Sequence, residues 1–463
     1  MPSLISRLPR CLSLALAYAA LACAAPALSA QRTPAPDMDP RIQKLVAAVS
    51  ESRLRELDTK LVSFGTRSTL SDATSTARGV GAARRWIYDE LKRSSSRLQV
   101  SFDTHQIAAQ GRITRNVELR NVMALLPGKS PRRIYITGHY DSVNLGAGGQ
   151  TALNAGAANP QGTRDANNDN DAPGANDDGS GTVLTMELAR VFAESGIEFD
   201  ATLVFMCWAG EEQGLIGSMA HAQQLAADKV VVEANFNNDI VGNSMGGNGQ
   251  IDAKSVRIYA LGPEDNMNRS LARYIERVAA IYVPSHRIRL MAREDRFGRG
   301  SDHSSFTANG FPAIVFREAN ENFARQHSDQ DKLEAVDFRY LAQNARVNAA
   351  SAASLALAPQ APRVLNERGT VMLTRNPSGY DSNLQWAAVP GAVAYRIYWR
   401  DSWSNGWEHS QAVGNVTQFV LAGLSIDDWV IGVAAIGADG HESLVSAYVS
   451  PVRKMNEVKI VKP

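Results

Sequence analysis

The sequence of 463 residues has little cysteine and no excess of charge of either sign. Of its three cysteines, Cys11 and Cys23 lie in the first thirty residues, which leaves Cys207 without a partner for an internal disulfide. An exported form of the chain would therefore need a hydrophobic core or bound metals for its stability. The 48 basic residues balance 47 acidic ones and form no basic tract, so we expect no nucleic-acid partner.

Apolar runs of the length that a membrane-spanning helix needs are also absent. The apolar run at 11–25 follows Arg7 and Arg10 and leads to small residues up to Ala30, which is the pattern of a signal peptide. We therefore predict export to the periplasm or the cell exterior, with no membrane span. Cys23 follows an imperfect acylation motif, so a lipid anchor at this residue is the alternative.

Two adjacent carboxylates, Glu211 and Glu212, follow the continuous apolar run at 202–207 and precede a segment of helical composition at 215–225. Such a run is typical of a buried strand in a parallel sheet, and open α/β sheets bind their ligands beyond the carboxyl ends of their strands. One glutamate can then bind a metal while its neighbour accepts a proton from water. A solvated acidic loop is the alternative interpretation of the pair alone.

Other acids and histidines also lie at or near the ends of predicted strands. Each has an alternative explanation on its own, such as the capping of the helix that starts near 182. Together, two histidines and three carboxylates suit a pair of zinc ions with one carboxylate between them, and Glu211 remains to carry protons. The five candidate metal ligands are His139, Asp177, Glu212, Asp239 and His327.

These residues stand in motifs that resemble the dizinc exopeptidase family of secreted aminopeptidases, which also has members similar to glutamate carboxypeptidase and glutaminyl cyclase. The resemblance covers residues 139–331 in motif order and, by inference, most of residues 40–358. Single motifs are short, and the specificity comes from their joint order. The matching segments are 139–142, 174–181, 211–218, 239–242, 301–306 and 327–331.

The resemblance implies a fold and a mechanism. We expect an α/β domain with a three-layer, open, mostly parallel sheet that has helices on both faces. Asp177 would bridge two Zn²⁺ ions, and a cis peptide bond would join it to Asp178. Glu212 would bind zinc, Glu211 would act as the general base, and Asp141 would support catalysis by orienting a histidine. Asp302 and His303 would line the substrate-binding pocket.

The resemblance also implies peptide or protein substrates and hydrolysis of a terminal peptide bond. An aminopeptidase is the leading prediction, with a carboxypeptidase or a glutaminyl cyclase as the alternatives within the family. A non-catalytic binding protein is the alternative outside it, although retention of all five ligands and Glu211 argues against that class. Gln326 departs from the family, many of whose members have tyrosine before the last histidine, so any oxyanion contact from that tyrosine must come from elsewhere.

The loop at 143–173 is longer than in compact relatives and could shape or cover the substrate pocket. Within it, residues 165–171 alternate Asp and Asn, a spacing that can suit Ca²⁺. The glycine and the distal glutamate of an EF-hand loop are missing, so a solvated loop is the alternative.

The composition changes near residue 358, where a proline-bearing linker begins. Beyond it, short alternating strands and turn signals such as Pro390-Gly391 predict a β-sandwich that resembles a fibronectin type III module. We expect it to contact substrate, the cell surface or the catalytic domain. The predicted domains are a signal peptide (1–30), a zinc peptidase domain (31–358), a linker (359–363), the sandwich (364–453) and a tail (454–463).

Overall fold

A computed structural model describes residues 38–146, 168–262 and 265–449. The predicted signal peptide, Cys23, residues 147–167 of the long loop and the tail lie outside the described residues. No helix in the described ranges is both long enough and apolar enough to cross a membrane.

The elements up to residue 357 form the α/β part of the chain. In chain order they are α1 (Pro40–Ala48), α2 (Glu51–Val62), α3 (Gly79–Ser94), β1 (Gln99–Ile107), β2 (Val117–Leu126), β3 (Ser130–His139), a π-helical turn (Ala175–Gly179), α4 (Ser180–Glu194), β4 (Ala201–Trp208), α5 (Ile216–Ala227), β5 (Val232–Asn238), β6 (Ser255–Tyr259), α6 (Met267–Tyr282), β7 (Arg287–Met291), α7 (His303–Ala308), β8 (Ala313–Glu318), a 3₁₀ turn (Leu333–Ala335) and α8 (Phe338–Leu357).

The eight strands form one mixed sheet in the order β1-β2-β4-β3-β5-β8-β6-β7. The four central strands, β4, β3, β5 and β8, run parallel, whereas β1, β2 and β6 pair antiparallel to a neighbour. Because parallel strands end at the same edge, the segments that follow β3, β4, β5 and β8 lie side by side. This edge holds the candidate site.

Both faces of the sheet are covered, as its central strands show. In β4, Phe205 and Cys207 belong to the large core that includes α4 and α8, while Met206 and Trp208 pack with α5 on the opposite face. Alternate residues of a strand point to opposite faces, so an apolar residue at every position requires cover on both. The predicted fold class, a three-layer α/β sheet with a C-terminal all-β part, is confirmed.

Strand β7 was missed by the sequence analysis, and the reason is its position. It lies at the edge of the sheet, beside β6, and its sequence alternates arginine with apolar residues. An edge strand that is half exposed lacks the continuous apolar run that marked the central strands. The predicted strand at 202–207 and the predicted helix at 215–225 differ from β4 and α5 by one or two residues at each end.

The C-terminal part consists of two antiparallel sheets, as predicted, although the fibronectin type III resemblance stays a prediction. Residues from both sheets, such as Leu384 and Tyr395, share one hydrophobic cluster. The first sheet has the order β13-β10-β9 and the second the order β12-β11-β14-β15. The strands are β9 (Leu373–Arg375), β10 (Ser382–Gln385), β11 (Ala392–Asp401), β12 (His409–Gly414), β13 (Gln418–Leu421), β14 (Trp429–Gly437) and β15 (Ser446–Ala447).

The second sheet packs against α6 of the α/β part. Asp265 forms ion pairs with Arg273 of α6 and with Arg400 of β11, and both guanidinium groups lie 5.7 Å from the centroid of the Trp407 ring. Ser270 of α6 donates a hydrogen bond to a main-chain carbonyl next to β15. Of the three contacts predicted for this part of the chain, the structure therefore shows the one with the α/β part.

Replacing Trp407 with alanine is expected to destabilise the protein by about 2–3 kcal/mol, below the usual range for a fully buried tryptophan because Trp407 is only partly buried. The same change at Trp403, which is 81% exposed in the same β11–β12 connection, is the matched control and should stay within about 0.5 kcal/mol of the parent. Urea unfolding of both variants tests this. Equal losses would mean that Trp407 contributes no more than a surface residue.

A polar cluster joins strands β1 and β2 to helix α5. The Asp103 carboxylate accepts hydrogen bonds from the rings of His105 and His221, each at 3.0 Å, and from the Asn121 amide at 2.8 Å. Burial alone would raise the pKa of Asp103, but the hydrogen bonds from the two histidines hold it below its usual range. The hydrogen bond to Asp103 raises the pKa of His105.

Replacing His105 with glutamine is expected to lower the unfolding midpoint more at pH 5.5 than at pH 8.5. Because the pKa of His105 is raised on folding, its contribution is complete below the unfolded value of 6.5 and is lost as the pH rises through the folded value. The depressed pKa of Asp103 keeps that partner ionised at pH 5.5. Thermal unfolding at both pH values tests this, with His409→Gln, whose ring stacks on Trp399, as control. An equal effect at both pH values would contradict the ion pair.

Candidate active site

The five predicted ligands converge at the carboxyl edge of the central strands. Two groups form there, His139 with Asp177 and Asp239, and Asp177 with Glu212 and His327. Within each group the ligand atoms lie within 4.8 Å of one another, and all the residues are buried except His327, which is partly buried. Asp177 belongs to both groups, so its two oxygens can serve two centres.

The distances settle which acid accompanies which histidine, a question that the sequence left open. His139 Nε2 lies 3.5 Å from Asp177 Oδ1 and 3.9 Å from Asp239 Oδ1. His327 Nε2 lies 3.0 Å from Asp177 Oδ2 and 3.4 Å from Glu212 Oε2. Asp239 therefore belongs with His139, and Glu212 with His327.

The side chains at this site have the chemistry that zinc requires. His139 Nε2 and Glu212 Oε1 are buried and have no hydrogen-bond partner within the described part of the chain. Buried polar atoms without partners are unfavourable, and a metal ion in each ligand group would give both atoms a partner. Imidazole nitrogens and carboxylate oxygens at three positions per centre match the usual ligands of zinc.

The turn that carries Asp177 is held from two sides. The Asp177–Asp178 peptide bond is cis, as the resemblance implied. The Asp331 carboxylate accepts hydrogen bonds from the main-chain amides of Asn176 and Asp177, the latter at 2.8 Å. Asp331 ends the matching segment 327–331, for which the sequence indicated no such role, and in the structure it orients the shared ligand.

Asp178 points away from the ligand cluster and fixes the strand end that carries His139. Its carboxylate accepts hydrogen bonds from the main-chain amides of His139 at 2.9 Å, Gly181 at 2.9 Å and Ile240 at 3.2 Å. One side chain thus connects the end of β3, the start of α4 and the segment after β5. These hydrogen bonds hold the segments that carry His139 and Asp239 at a fixed distance from each other.

Asp141 orients the glutamate pair more directly than it orients the histidine. Its carboxylate oxygens accept hydrogen bonds from the main-chain amides of Glu211 at 3.2 Å and Glu212 at 3.1 Å. His139 Nδ1 is 3.1 Å from the main-chain oxygen of Asp141 but 3.6 Å from its carboxylate. Asp141 is therefore a positioning residue, and its main-chain oxygen is the closer partner of the histidine ring.

Glu211 faces the ligand cluster without belonging to either group. Its side chain is 12% exposed, and its carboxylate lies 3.9 Å from His139 Nε2. Burial raises the pKa of Glu211, and the nearby carboxylates of Asp239, Asp302 and Asp141 act in the same direction. A carboxyl group whose proton affinity is increased in this way suits proton transfer.

Arg317 and Ser301 support Asp239, a role that the sequence did not predict for either residue, although Ser301 begins one of the matching segments. The buried Arg317 guanidinium contacts the Asp239 carboxylate at 2.5 Å, and the Ser301 hydroxyl donates a hydrogen bond to the other Asp239 oxygen. Arg317 lies in the apolar strand β8, so nothing in the local pattern indicated that its side chain points toward the site. Both residues hold Asp239 in place.

Asp302 and His303, predicted to line the substrate pocket, are both fully buried. His303 Nε2 pairs with the main-chain oxygen of Glu294 at 2.9 Å. Burial raises the pKa of Asp302 to about 7. In this structure both residues lie beneath the site surface, and a role in substrate binding stays a prediction.

Gln326, which stands where many relatives have tyrosine, bridges two charged side chains. Its side-chain oxygen accepts a hydrogen bond from Arg299 at 3.1 Å, and its amide donates to Glu321 at 3.1 Å. His327 follows with a positive φ of 55°. The Gln326 side chain thus braces the segment that carries His327.

The candidate calcium loop is described only from residue 168 onward. Asn168 accepts a hydrogen bond from Ser68, and Asp171 forms an ion pair with Arg78 at 2.7 Å. These oxygens already have protein partners, and calcium binding stays a prediction.

The sequence profile described as Peptidase family M28 matches residues 121–352, the span that contains all five ligands. The chain belongs to peptidase family M28. Two curated relatives, from Pyricularia oryzae and Leptosphaeria maculans, are each named "Probable zinc metalloprotease". They are 37% and 36% identical to this M28 peptidase over 88% and 89% of its length, and the matches cover 84% and 96% of the relatives.

Solved structures share the fold of this M28 peptidase. The LapA aminopeptidase of Legionella pneumophila matches with a TM-score of 0.51 over 68% of this chain and 74% of that one. LapB from the same organism matches with a TM-score of 0.52 over 70% and 77%. Both are 19% identical to this chain, so the likeness shows a shared α/β fold alone.

Proposed function

We propose that this M28 peptidase is a zinc-dependent aminopeptidase that binds two zinc ions. The observation that carries the proposal is the pair of ligand groups that share Asp177. The family and the names of the curated relatives support a zinc peptidase. The resemblance of the motifs to secreted aminopeptidases supports action at the amino terminus.

Each zinc ion would have one histidine and one acid of its own, His139 with Asp239 and His327 with Glu212. Asp177 would contribute one oxygen to each. When bound, two zinc ions supply Lewis acidity, which makes a water molecule more acidic and polarises the carbonyl of the scissile bond. The remaining chemistry falls to side chains of the protein.

Glu211 is the proposed general base. Its carboxylate accepts a proton from the attacking water and returns it to the amine that leaves when the C–N bond breaks. The Asp141 carboxylate accepts hydrogen bonds from the main-chain amides of Glu211 and Glu212. This fixes the backbone so that Glu212 can bind zinc while Glu211 transfers protons. Burial of Glu211 favours its protonated form, which assists donation to the amine.

We further propose that the protein is exported, on the sequence pattern of residues 1–30. An exported zinc peptidase without an internal disulfide would depend on its core and its metals for stability. Retention of the protein on membranes after expression would instead favour the lipid anchor at Cys23.

Activity against a panel of substrates tests the proposed specificity. Aminoacyl anilides with a free α-amino group should be cleaved, and N-blocked dipeptides should not. A chelator should abolish cleavage, and zinc should restore it. Cleavage of the blocked dipeptides alone would indicate a carboxypeptidase, and no cleavage by the zinc-loaded protein would favour a glutaminyl cyclase or a binding protein.

A further inference from the structure

A cavity lies between α3, β2 and the segments that follow β3 and β4. Its volume is about 200 Å³. Arg84 of α3, Arg115 before β2 and Arg120 of β2 line it, together with Leu119, Tyr140 and Ala209. Neither the five ligands nor Glu211 belong to its wall.

The wall of this cavity carries an excess of positive charge. It contains three arginines and one acid, Glu118, and Glu118 already pairs with Arg120 at 2.6 Å. Arg115 donates a hydrogen bond to the main-chain oxygen of Leu70. An anion in the cavity would therefore meet cations whose charge the protein leaves largely uncompensated.

Arg84 is the most deeply buried of the three arginines. The residue is 7% exposed, and within the described part of the chain its guanidinium forms no ion pair. The guanidinium donates a long hydrogen bond, 3.4 Å, to the main-chain oxygen of Glu118. A buried guanidinium normally has a carboxylate or phosphate partner, because removing its charge from water is unfavourable. A bound oxyanion would supply that partner.

The cavity adjoins the segment that carries Glu211 and Glu212. Ala209 in its wall is two residues before Glu211, and Leu119 packs so closely that a Cβ on Gly210 would lie 2.6 Å from Leu119 Cδ1. The hairpin between β1 and β2 also reaches the site, since Arg112 donates a hydrogen bond to the main-chain oxygen of Glu212. A ligand held by this hairpin would therefore contact residues that pack against the segment carrying both glutamates.

We propose that this cavity is an effector site for a small oxyanion, a carboxylate or a phosphate, and that its occupation changes turnover through the 209–212 segment. Arg84, Arg115 and Arg120 bind the anion. Planar, multidentate guanidinium groups suit both kinds of oxyanion. The proposal concerns binding outside the metal groups and does not depend on the class of peptide that is cleaved.

Isothermal titration of the zinc-loaded protein with glutarate and with inorganic phosphate tests the site and separates the two sources. We expect at least one to bind, and Arg84→Met to weaken it at least ~10-fold, as expected for loss of a charge-assisted hydrogen bond. Arg93→Met, the same change at an exposed end of α3, should bind as the parent does. Arg115→Gln, at an exposed position, should weaken binding even if Arg84→Met fails to fold.

The turnover of an uncharged anilide should change as the anion concentration rises. The midpoint of this change should equal the midpoint of the binding isotherm. In the Arg84 and Arg115 variants the turnover should not depend on anion concentration. Binding that survives both arginine changes, or that disappears when zinc is removed, would place the anion at the metals and overturn the proposal. Binding without any change in turnover would overturn the effector role.

Discussion

Replacing Glu211 with glutamine is expected to lower turnover at least ~10²-fold, the lower end of the contribution of a general base, with zinc content near that of the parent. Glutamine keeps the size of the side chain and one acceptor, but it cannot take a proton from water. Metal binding should persist, because Glu211 belongs to neither ligand group. Turnover of an aminoacyl anilide and zinc analysis on the same preparation test this.

Glu212→Gln is the matched control for this experiment, since the neighbouring residue undergoes the same chemical change. Glu212 belongs to the group with His327, so its variant should lose zinc as well as activity. Near-normal turnover of Glu211→Gln with its metals bound would contradict the base assignment. Asp302, whose pKa is raised to about 7 by burial, would then become the next candidate.

Replacing Asp177 with alanine is expected to remove both zinc ions, whereas His327→Ala should remove one. Asp177 is the residue that the two groups share, and its oxygens lie 3.5 Å from His139 Nε2 and 3.0 Å from His327 Nε2. Without it, each centre keeps two protein ligands, fewer than zinc sites normally use. Zinc per chain after dialysis, measured by mass spectrometry, tests this.

Asp329→Ala is a suitable control, because Asp329 is an exposed acid near His327 that belongs to neither group. It should keep the zinc content of the parent. One zinc ion retained by Asp177→Ala would mean that one centre does not depend on the shared carboxylate. Full retention would contradict the shared role of Asp177 altogether.

The sequence predicted which residues meet at the site, because parallel strands end at one edge. The pairing of Glu212 and Asp239 with the two histidines could not be predicted in the same way. Strand β3, which carries His139, lies between β4 and β5, so the segments with Glu212 and Asp239 are both its neighbours. The pairing depends on the shape of those segments, where Leu215 and Ile240 have positive φ angles.

The supporting residues were harder to predict than the ligands. Arg317 contacts Asp239 from β8, and Asp331 binds the Asp177 amide across 154 positions of sequence. Such contacts depend on the order of the strands in the sheet and on side-chain direction. The contacts of Asp265 with α6 and β11 are of the same kind, because they join parts of the chain that pair only in the folded structure.

Anomalous scattering from crystals of the zinc-loaded protein, collected on both sides of the zinc edge, tests the central claim most directly. We expect two zinc peaks about 3.5–4 Å apart. One should lie among His139, Asp177 and Asp239, and the other among Asp177, Glu212 and His327. A single peak at full zinc loading, or a peak without Asp177 among its ligands, would contradict the shared two-zinc site.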